Sequence, residues 1–258
     1  MSGTPVTIKI GGTAGADAAS LALLTERAEP GWVIVHGGGN EVAAWSRRLG
    51  HEPATVDGLR VTDAETLDIA VAVLRGLVNA RLVAVFAAAG VSAIGLSGAD
   101  ASLLRAERFD ARLGEVGRIS AVNGALLAAL AAAGHVPIVA SLALGADGGL
   151  LNVNADEVAG SIAASRGGRL LLLTDVPGLE RNGELVNTLD IREAEVALAD
   201  GTARDGMLPK LRAAVAAARA GCTVEMVNGT DPDAVRAALD GRTTGTRISG
   251  AGAAGVSR

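Results

Sequence analysis

The chain has 258 residues, of which 49% are hydrophobic and only 2% aromatic, so one large domain or two lobes can share a core of small and aliphatic side chains. A net charge of −5 argues against a nucleic-acid-binding surface, which requires a basic face. The single cysteine, Cys222, excludes an internal disulfide, and neither a signal peptide nor an uninterrupted apolar stretch of bilayer length is evident, so we expect a cytoplasmic protein.

Short β-branched segments alternate along the chain with longer stretches rich in Ala and Leu. The segments predicted as buried strands are residues 6–10, 32–36, 136–140, 170–174 and 223–227. The predicted helices are residues 17–28, 40–49, 64–89, 122–133 and 209–220. Residues 103–119 interrupt the alternation with the pattern of a β-hairpin. The predicted fold class is α/β with a mostly parallel sheet covered on both faces, and ligands are expected beyond the carboxyl ends of the strands.

Several predicted helices carry signals at their ends. The spacing of Thr62 and Glu65 is that of a capping box, and Pro209 suits the first position of a helix. Gly134 and Gly221 suit helix C-termini. No low-complexity linker and no internal repeat divides the chain.

Lysine is almost absent: only Lys9 and Lys210 occur among the 23 Lys and Arg residues. Codon bias explains an excess of arginine, but it does not explain where the two lysines stand. Arg replaces Lys easily on a solvated surface and poorly where a compact ammonium contacts a phosphate. Because both lysines lie beside glycine-rich backbone, we predict that both are functional.

Four glycine-rich or polar loops are candidate site loops. They are residues 9–12 (KIGG), 36–40 (HGGGN), 152–156 (NVNAD) and 173–178 (LTDVPG). Small residues let backbone N–H groups approach an anion, and a helix N-terminus adds its dipole. A tight turn would explain each loop without any ligand. His36 is interpreted as a packed residue at a strand end, whereas Asp156 is a carboxylate that could organise the two lysines.

Neither of two common nucleotide-binding motifs explains this chain. The chain contains no GxxxxGK[ST], which argues against a P-loop NTPase. A GxGxxG spacing at Gly250, Gly252 and Gly255 lies in a Gly/Ala-rich tail with no strand before it, so we discard it as a dinucleotide site.

Eight short motifs follow one another along the chain. They are KIGG (9–12), HGGG (36–39), GLRVTD (58–63), VNARLV (78–83), GLSGAD (95–100), NVNAD (152–156), LTDVPG (173–178) and DGMLPK (205–210). Each motif is weak alone, but in this order over residues 6–248 the set resembles the amino acid kinase superfamily. Within that superfamily the chain is most similar to the acetylglutamate kinases.

This resemblance implies an open αβα sandwich and a reaction. A lobe of residues 1–172 would bind the acyl amino acid, and a lobe of residues 173–258 would bind ATP. The expected activity is ATP-dependent phosphorylation of the side-chain carboxylate of N-acetyl-L-glutamate in arginine biosynthesis. By the same resemblance, Lys9 and Lys210 flank the transferred phosphoryl group and Asp156 holds the two ammonium groups in position.

The resemblance also assigns the binding residues. Those for the acyl amino acid are Gly38, Gly39, Arg60 and Asn152. Those for phosphate and ATP are Gly11, Gly12, Asp175, Val176, Pro177, Gly178, Leu179, Glu180, Thr202, Ala203, Arg204 and Gly206. Mg²⁺ would arrive with the nucleotide, without a metal site of the protein's own. No general base is needed, because a carboxylate is already ionised at neutral pH.

Two other functions compete with this interpretation. Lysine-pathway kinases that act on aminoadipate or glutamate attached to an acidic carrier protein are similar, but they have a longer and more basic segment around the arginine loop. Asp57 within residues 56–63 favours the free acyl amino acid. The second alternative is a catalytically silent, amino-acid-binding regulatory domain, against which the presence of Lys9, Asp156 and Lys210 argues. Residues 13–17 and 142–149 depart from the family pattern and leave the fine substrate preference open.

Assembly is a further expectation. Arginine-inhibited acetylglutamate kinases have an N-terminal helix that joins dimers into a hexameric ring, whereas the first strand here is predicted near residue 6. The apolar stretch at residues 69–89 exceeds what one helix face buries within a monomer. We therefore expect a homodimer that arginine does not inhibit.

Overall fold

The computed structural model describes residues 4–11, 18–52, 54–56 and 59–250, with residues 55, 56, 59 and 60 described by their backbone only. Within these residues the α-helices are α1 (Ala18–Arg27), α2 (Gly39–Arg48), α3 (Ala64–Val71), α4 (Asn79–Ala88), α5 (Gly124–Ala132), α6 (Ala155–Arg166), α7 (Ile191–Ala199), α8 (Met207–Arg219) and α9 (Pro232–Leu239). The strands are β1 (Val6–Ile10), β2 (Trp32–His36), β3 (Thr55–Val56), β4 (Leu59–Arg60), β5 (Ala93–Ser97), β6 (Leu104–Arg108), β7 (Val116–Val122), β8 (Val136–Ala140), β9 (Leu142–Gly145), β10 (Leu150–Val153), β11 (Arg169–Thr174), β12 (Glu180–Arg181), β13 (Glu184–Leu185), β14 (Thr188–Asp190), β15 (Thr223–Asn228) and β16 (Thr246–Ser249).

An eight-stranded sheet forms the centre of the fold, in the order β14-β16-β15-β11-β1-β2-β8-β5. The six strands from β15 to β5 are parallel, whereas β16 runs antiparallel to β15. The predicted α/β class with a mostly parallel sheet is confirmed, and all five predicted strands lie in this sheet.

Helices cover both faces of the sheet, because alternate residues of its strands point to opposite sides. Ile34 of β2 packs with Leu24 of α1 and Phe86 of α4 on one face. Val33, the preceding residue, packs with Ile162 of α6 on the other. The result is a three-layer αβα sandwich with a core on each face.

The hairpin predicted at residues 103–119 is present as the antiparallel pair β6 and β7. It is extended by β9 and β10, and the four strands close into a small barrel. The end of β10 leads directly into α6, so the barrel lies beside the start of that helix.

The predicted start of a helix at residue 64 is confirmed, but the cap predicted there and the helix start predicted at Pro209 are wrong. The helix that begins at Ala64 is capped by Asp63, whose side chain accepts from the N–H of Thr66, so the predicted capping box between Thr62 and Glu65 does not form. Thr62 is instead taken up in a backbone bridge to the barrel at Gly114. Pro209 is the third residue of α8 and not the first, because the helix begins at Met207.

The helix predicted at residues 64–89 is continuous over Ala64–Ala88, but its middle segment, Ala72–Val78, is π-helical. This 25-residue helix is long and apolar enough to cross a membrane by length and composition alone. Its inner side is part of the core, with Phe86 fully buried, which is typical of a core helix. Its outer side is uncovered, and Val85 is 41% exposed there.

Candidate active site

Lys9, Asp156 and Lys210 meet at the carboxyl end of the central strands. Nζ of Lys9 lies 2.9 Å from Oδ1 of Asp156, and Nζ of Lys210 lies 3.3 Å from Oδ2. Lys9 and Asp156 are buried, with 6% and 4% exposure. The contact of Lys9 is an ion pair without hydrogen-bond alignment, because Oδ1 of Asp156 has no hydrogen-bond partner among the described residues. Nζ of Lys210, in contrast, donates a hydrogen bond to Oδ2. One carboxylate therefore holds two ammonium groups, one by an ion pair and one by a hydrogen bond.

The position of Asp156 follows from the start of α6. Asn154 caps this helix, and its side chain accepts from the N–H groups of Asp156 and Glu157. Asp156 is thus in the first turn, where the helix dipole favours a negative charge.

The close packing of α6 against α8 sets the distance from Asp156 to Lys210. A Cβ on Gly160 of α6 would lie 2.9 Å from the carbonyl oxygen of Ala213 of α8, so only glycine permits this approach. Lys210 stands in the first turns of α8, three residues before Ala213.

The side chain of Lys9 folds back over Gly11. A Cβ at Gly11 would lie 1.9 Å from Nζ of Lys9, so a side chain there would displace the ammonium. Gly12, the other glycine of this predicted loop, lies outside the described residues.

The loop after β2 is the second glycine-rich element of the site. Gly38 occupies the N-cap position of α2, and Gly39 is the first residue of that helix. A Cβ on Gly38 would lie 2.7 Å from Cδ2 of Leu74, a residue of the π-helical segment. His36 is buried before this loop, as predicted for a packed residue, and burial lowers its pKa to about 4. The imidazole is therefore neutral at physiological pH.

Asn152 lies on β10 near the GLRVTD segment. Its Nδ2 donates to Oγ1 of the buried Thr62 at 3.2 Å. The backbone of Arg60 lies in β4, paired with Thr55, while its side chain is outside the described part of the chain.

A cavity of about 570 Å³ joins these parts and is within the size range of small-molecule sites. Of the predicted residues, Lys9, Gly11, Gly38, Gly39, Asn152 and Asp156 line it. Asn154 of the predicted loop 152–156 and Val78 of the VNARLV motif also line it, whereas sequence reasoning did not propose Ser141, Leu74 or Val116, which line it too. Ser141 could have been suspected because it follows a parallel strand, whereas Val116 and Leu74 reach the cavity only through tertiary packing.

Apart from Gly11 and Gly12, the residues predicted for ATP follow β11 or precede α8, and they do not line this cavity. Asp175, Val176 and Pro177 form an exposed turn directly after β11, the strand next to β1. Gly178 and Leu179 are buried there, and the N–H of Leu179 donates to Oγ1 of Thr246. Glu180 begins β12.

The second ATP segment precedes α8. Thr202 and Ala203 are held by N–H donation to Oδ1 of Asp200 and to the carbonyl of Ala197. Arg204 is exposed, and the carbonyl of Gly206 accepts from Nζ of Lys210 at 3.3 Å. This segment is therefore connected to the paired ammonium groups.

No group of three or more His, Cys, Asp or Glu side chains is placed to hold a metal ion within the described residues.

Residues 5–228 match the family described as "Amino acid kinase family". An acetylglutamate kinase of Methanopyrus kandleri is 46% identical to the chain over 214 residues, which are 77% of this chain and 86% of that relative. An acetylglutamate kinase of Rubrobacter xylanophilus is 45% identical over 221 residues, 85% of this chain and 87% of the relative.

Among solved structures, the chain is similar to an N-acetylglutamate synthase from Neisseria gonorrhoeae complexed with coenzyme A and N-acetyl-glutamate. The TM-score is 0.80 and the identity 26%, over 96% of this chain and 60% of that one.

Proposed function

The chain belongs to the amino acid kinase family, and from this premise we propose that it transfers the γ-phosphoryl group of ATP to the side-chain carboxylate of N-acetyl-L-glutamate. The observation that carries the proposal is the pair of ammonium groups, Lys9 and Lys210, bridged by the single carboxylate of Asp156 beside two glycine loops. The identity of 46% and 45% to acetylglutamate kinases over most of both chains supports the choice of substrate.

The reaction joins two anions, so its main requirement is charge neutralisation and in-line positioning. An oxygen of the substrate carboxylate forms a bond to the γ-phosphorus while the bond from that phosphorus to the β,γ-bridging oxygen breaks, and ADP leaves with the electron pair. Lys9 and Lys210 would offset the negative charge on the moving phosphoryl group, and Asp156 would keep the two ammonium groups together despite their mutual repulsion. No proton has to be removed from the substrate.

The two substrates approach the lysines from opposite sides. In our proposal Gly38, Gly39, Arg60 and Asn152 hold N-acetylglutamate in the cavity, within the lobe of residues 1–172. Gly11 and Gly12 donate to the phosphates, and the turn of residues 175–180 with residues 202–206 holds the nucleotide in the lobe of residues 173–258. Mg²⁺ enters with ATP, bound to its phosphates. We propose that the enzyme acts in the cytoplasm, in arginine biosynthesis.

Incubation with ATP, Mg²⁺ and N-acetyl-L-glutamate is expected to yield an acyl phosphate, which hydroxylamine traps as a hydroxamate. Parallel reactions with free glutamate, aminoadipate and a carrier-protein substrate, each followed by ADP release, measure the preference. Equal or faster turnover of one of the other three substrates would contradict the substrate assignment. Absence of turnover with all four would support the silent regulatory domain instead.

We also propose a homodimer formed through the uncovered side of the helix Ala64–Ala88. Because the residues along this side are small, a symmetry-related helix can approach closely. They include Ala72, Gly76, Ala80 and Ala84, which are all exposed. Sedimentation is expected to show a dimer that Ala80→Arg converts to monomer, and millimolar arginine is expected to leave the rate unchanged. A hexamer, a wild-type monomer or inhibition by arginine would contradict this proposal.

A further inference from the structure

A chain of polar side chains, buried at Asn79 and His36, leads from the long helix to the glycine loop of the site. Arg75, in the π-helical segment, donates through Nη1 to Oδ1 of Asn79 at 3.2 Å. Nδ2 of Asn79 lies 2.9 Å from Nε2 of His36, and Nδ1 of His36 lies 2.9 Å from the carbonyl oxygen of Gly37. Asn79 has no exposed surface and His36 only 2%. The helix is thus connected to the backbone of the loop without an intervening water.

The direction of every hydrogen bond in this chain can be assigned from its two ends. A guanidinium only donates, so the atom of Asn79 that faces Arg75 is the oxygen. The amide nitrogen of Asn79 also lies 2.8 Å from the carbonyl oxygen of Ile138, which only accepts and therefore requires the same orientation. Nε2 of His36 must then accept from Asn79.

The tautomer of His36 follows from that orientation. Burial lowers the pKa of His36 to about 4, ahead of opposing contributions from the Gly37 carbonyl and the charge of Glu41, with the charge of Arg75 lowering it further. A neutral imidazole carries one proton, and since Nε2 accepts, that proton is on Nδ1. Nδ1 therefore donates to the carbonyl of Gly37.

The hydrogen bond from His36 to the carbonyl of Gly37 also fixes the orientation of the N–H of Gly38, which belongs to the same peptide. In a planar trans peptide the C=O of one residue and the N–H of the next point in opposite directions, and the peptide bonds of the described residues are all trans. Holding the carbonyl of Gly37 therefore fixes the direction of the N–H of Gly38. No acceptor for that N–H is found in the described part of the chain, and Gly38 lines the cavity.

The surroundings keep this arrangement rigid. Leu74 and Val78 of the π-helical segment cover Gly38, at 2.7 Å and 3.3 Å from where its Cβ would lie. A Cβ on Gly95 would lie 2.2 Å from Oδ1 of Asn79, so a glycine in β5 makes room for the amide. A π-helical segment is rare and often lies at a functional site, and here it brings Arg75, Leu74 and Val78 to the same loop.

We propose that Asn79 and His36 are positioning residues: Asn79 selects the Nδ1-protonated form of His36, and that proton orients the Gly37–Gly38 peptide so that the N–H of Gly38 points at the reacting anion. The role assigned to Gly38 rests on the proposed function. Neither His36 nor Asn79 has to touch substrate, since both act through the peptide they hold.

The tautomer is tested on the wild-type enzyme without any substrate. Imidazole ¹⁵N spectra are expected to show that one of the three histidines carries its proton on Nδ1 and stays neutral down to about pH 5, because the pKa of His36 is about 4. His36→Asn identifies that signal by removing it. A proton on Nε2 of His36 would overturn the proposal whether or not the enzyme uses N-acetylglutamate.

The kinetic test separates the effect of the ring shape of His36 from that of its hydrogen-bond donor. The substrate is whichever carboxylate the wild-type enzyme phosphorylates fastest. His36→Phe keeps a planar ring but removes the donor. We expect kcat to fall about 10- to 100-fold, with little change in the KM of either substrate. This loss is no larger than that caused by deleting a donor that contacts the transition state directly, about 10²- to 10³-fold. His36→Asn places an amide N–H near the position of Nδ1, and is expected to recover most of the lost kcat. His135→Phe is the matched control, because His135 bonds to Ser92 and does not line the cavity.

A double-mutant cycle separates positioning from general loss of stability. Asn79→Ala alone is expected to shift the His36 tautomer and lower kcat, but to add little in the His36→Phe background, because both changes break the same chain. Additive losses of kcat, equal impairment of His36→Asn and His36→Phe, or unchanged kcat in His36→Phe would each overturn the proposal.

Discussion

Replacing Asp156 by Asn is expected to lower kcat by about 10²- to 10³-fold while the protein remains folded. The variant keeps the size of the side chain and one oxygen, but it removes the charge that pairs Lys9 at 2.9 Å with Lys210 at 3.3 Å. Two ammonium groups then face the same side chain without a counter-charge, in a place with little access to solvent. At least one of them is expected to turn away, so that it no longer meets the phosphoryl group.

Glu157→Gln is the matched control for this variant. Glu157 is the next residue in the same helix turn, but its Oε1 accepts from the N–H of Ile119 at 2.7 Å, away from the lysines. A glutamine oxygen can accept the same bond, so kcat should stay near the wild-type value. The test is to measure kcat and KM of both variants by steady-state kinetics, with circular dichroism as a check on folding. A kcat for Asp156→Asn within tenfold of wild type would contradict the role given to this carboxylate.

The second large effect is expected for lysine-to-arginine exchange. Lys9→Arg preserves the charge, but the planar guanidinium is wider than an ammonium and cannot occupy the space above Gly11, where Nζ leaves no room even for a Cβ. We expect kcat to fall about 10²-fold or more, with a much smaller change in the KM of either substrate. Lys210→Arg should act in the same direction.

Two further exchanges show whether the loss is specific. Arg60→Ala is expected to act in the opposite way, mainly raising the KM for the amino acid, because Arg60 is proposed to bind and not to neutralise the transferred group. Arg219 of α8 forms an exposed ion pair with Glu195 of α7. Arg219→Lys should change neither kcat nor KM, since exposed ion pairs contribute little. Near-wild-type kcat in Lys9→Arg or Lys210→Arg would show that the compact ammonium is not required there.

Local patterns predicted the parts of this fold that depend on short stretches of chain. The five strands of continuous β-branched or aliphatic residues were predicted within one residue at each end, because strands buried on both faces must be apolar throughout. The left-handed glycines after α5 and α8, Gly134 and Gly221, were predicted for the same local reason. Strands of weaker pattern, including β5, β9, β10, β14 and β16, were not predicted.

The candidate site, too, was predictable from the sequence only in part. Lys9, Asp156 and Lys210 could be selected from the sequence because residue type and neighbouring glycines already limit what they can do, and the structure brings all three together. Their assigned roles, and those of the ATP segments, stay predictions until the variants are measured. The division at residue 172 also stays a prediction.

The sequence by itself determined the α/β class, the family resemblance and the few charged residues suited to phosphoryl transfer, because each of these is carried by residue type and order along the chain. Only the tertiary structure decided that Asn79 reaches His36, that Leu74 covers Gly38 and that Gly160 lets α8 carry Lys210 to Asp156. These contacts join residues 36 to 54 positions apart, and their geometry depends on helix packing and on a π-helical turn. No periodicity or propensity in a short window contains that information, because it arises only when the elements pack against one another.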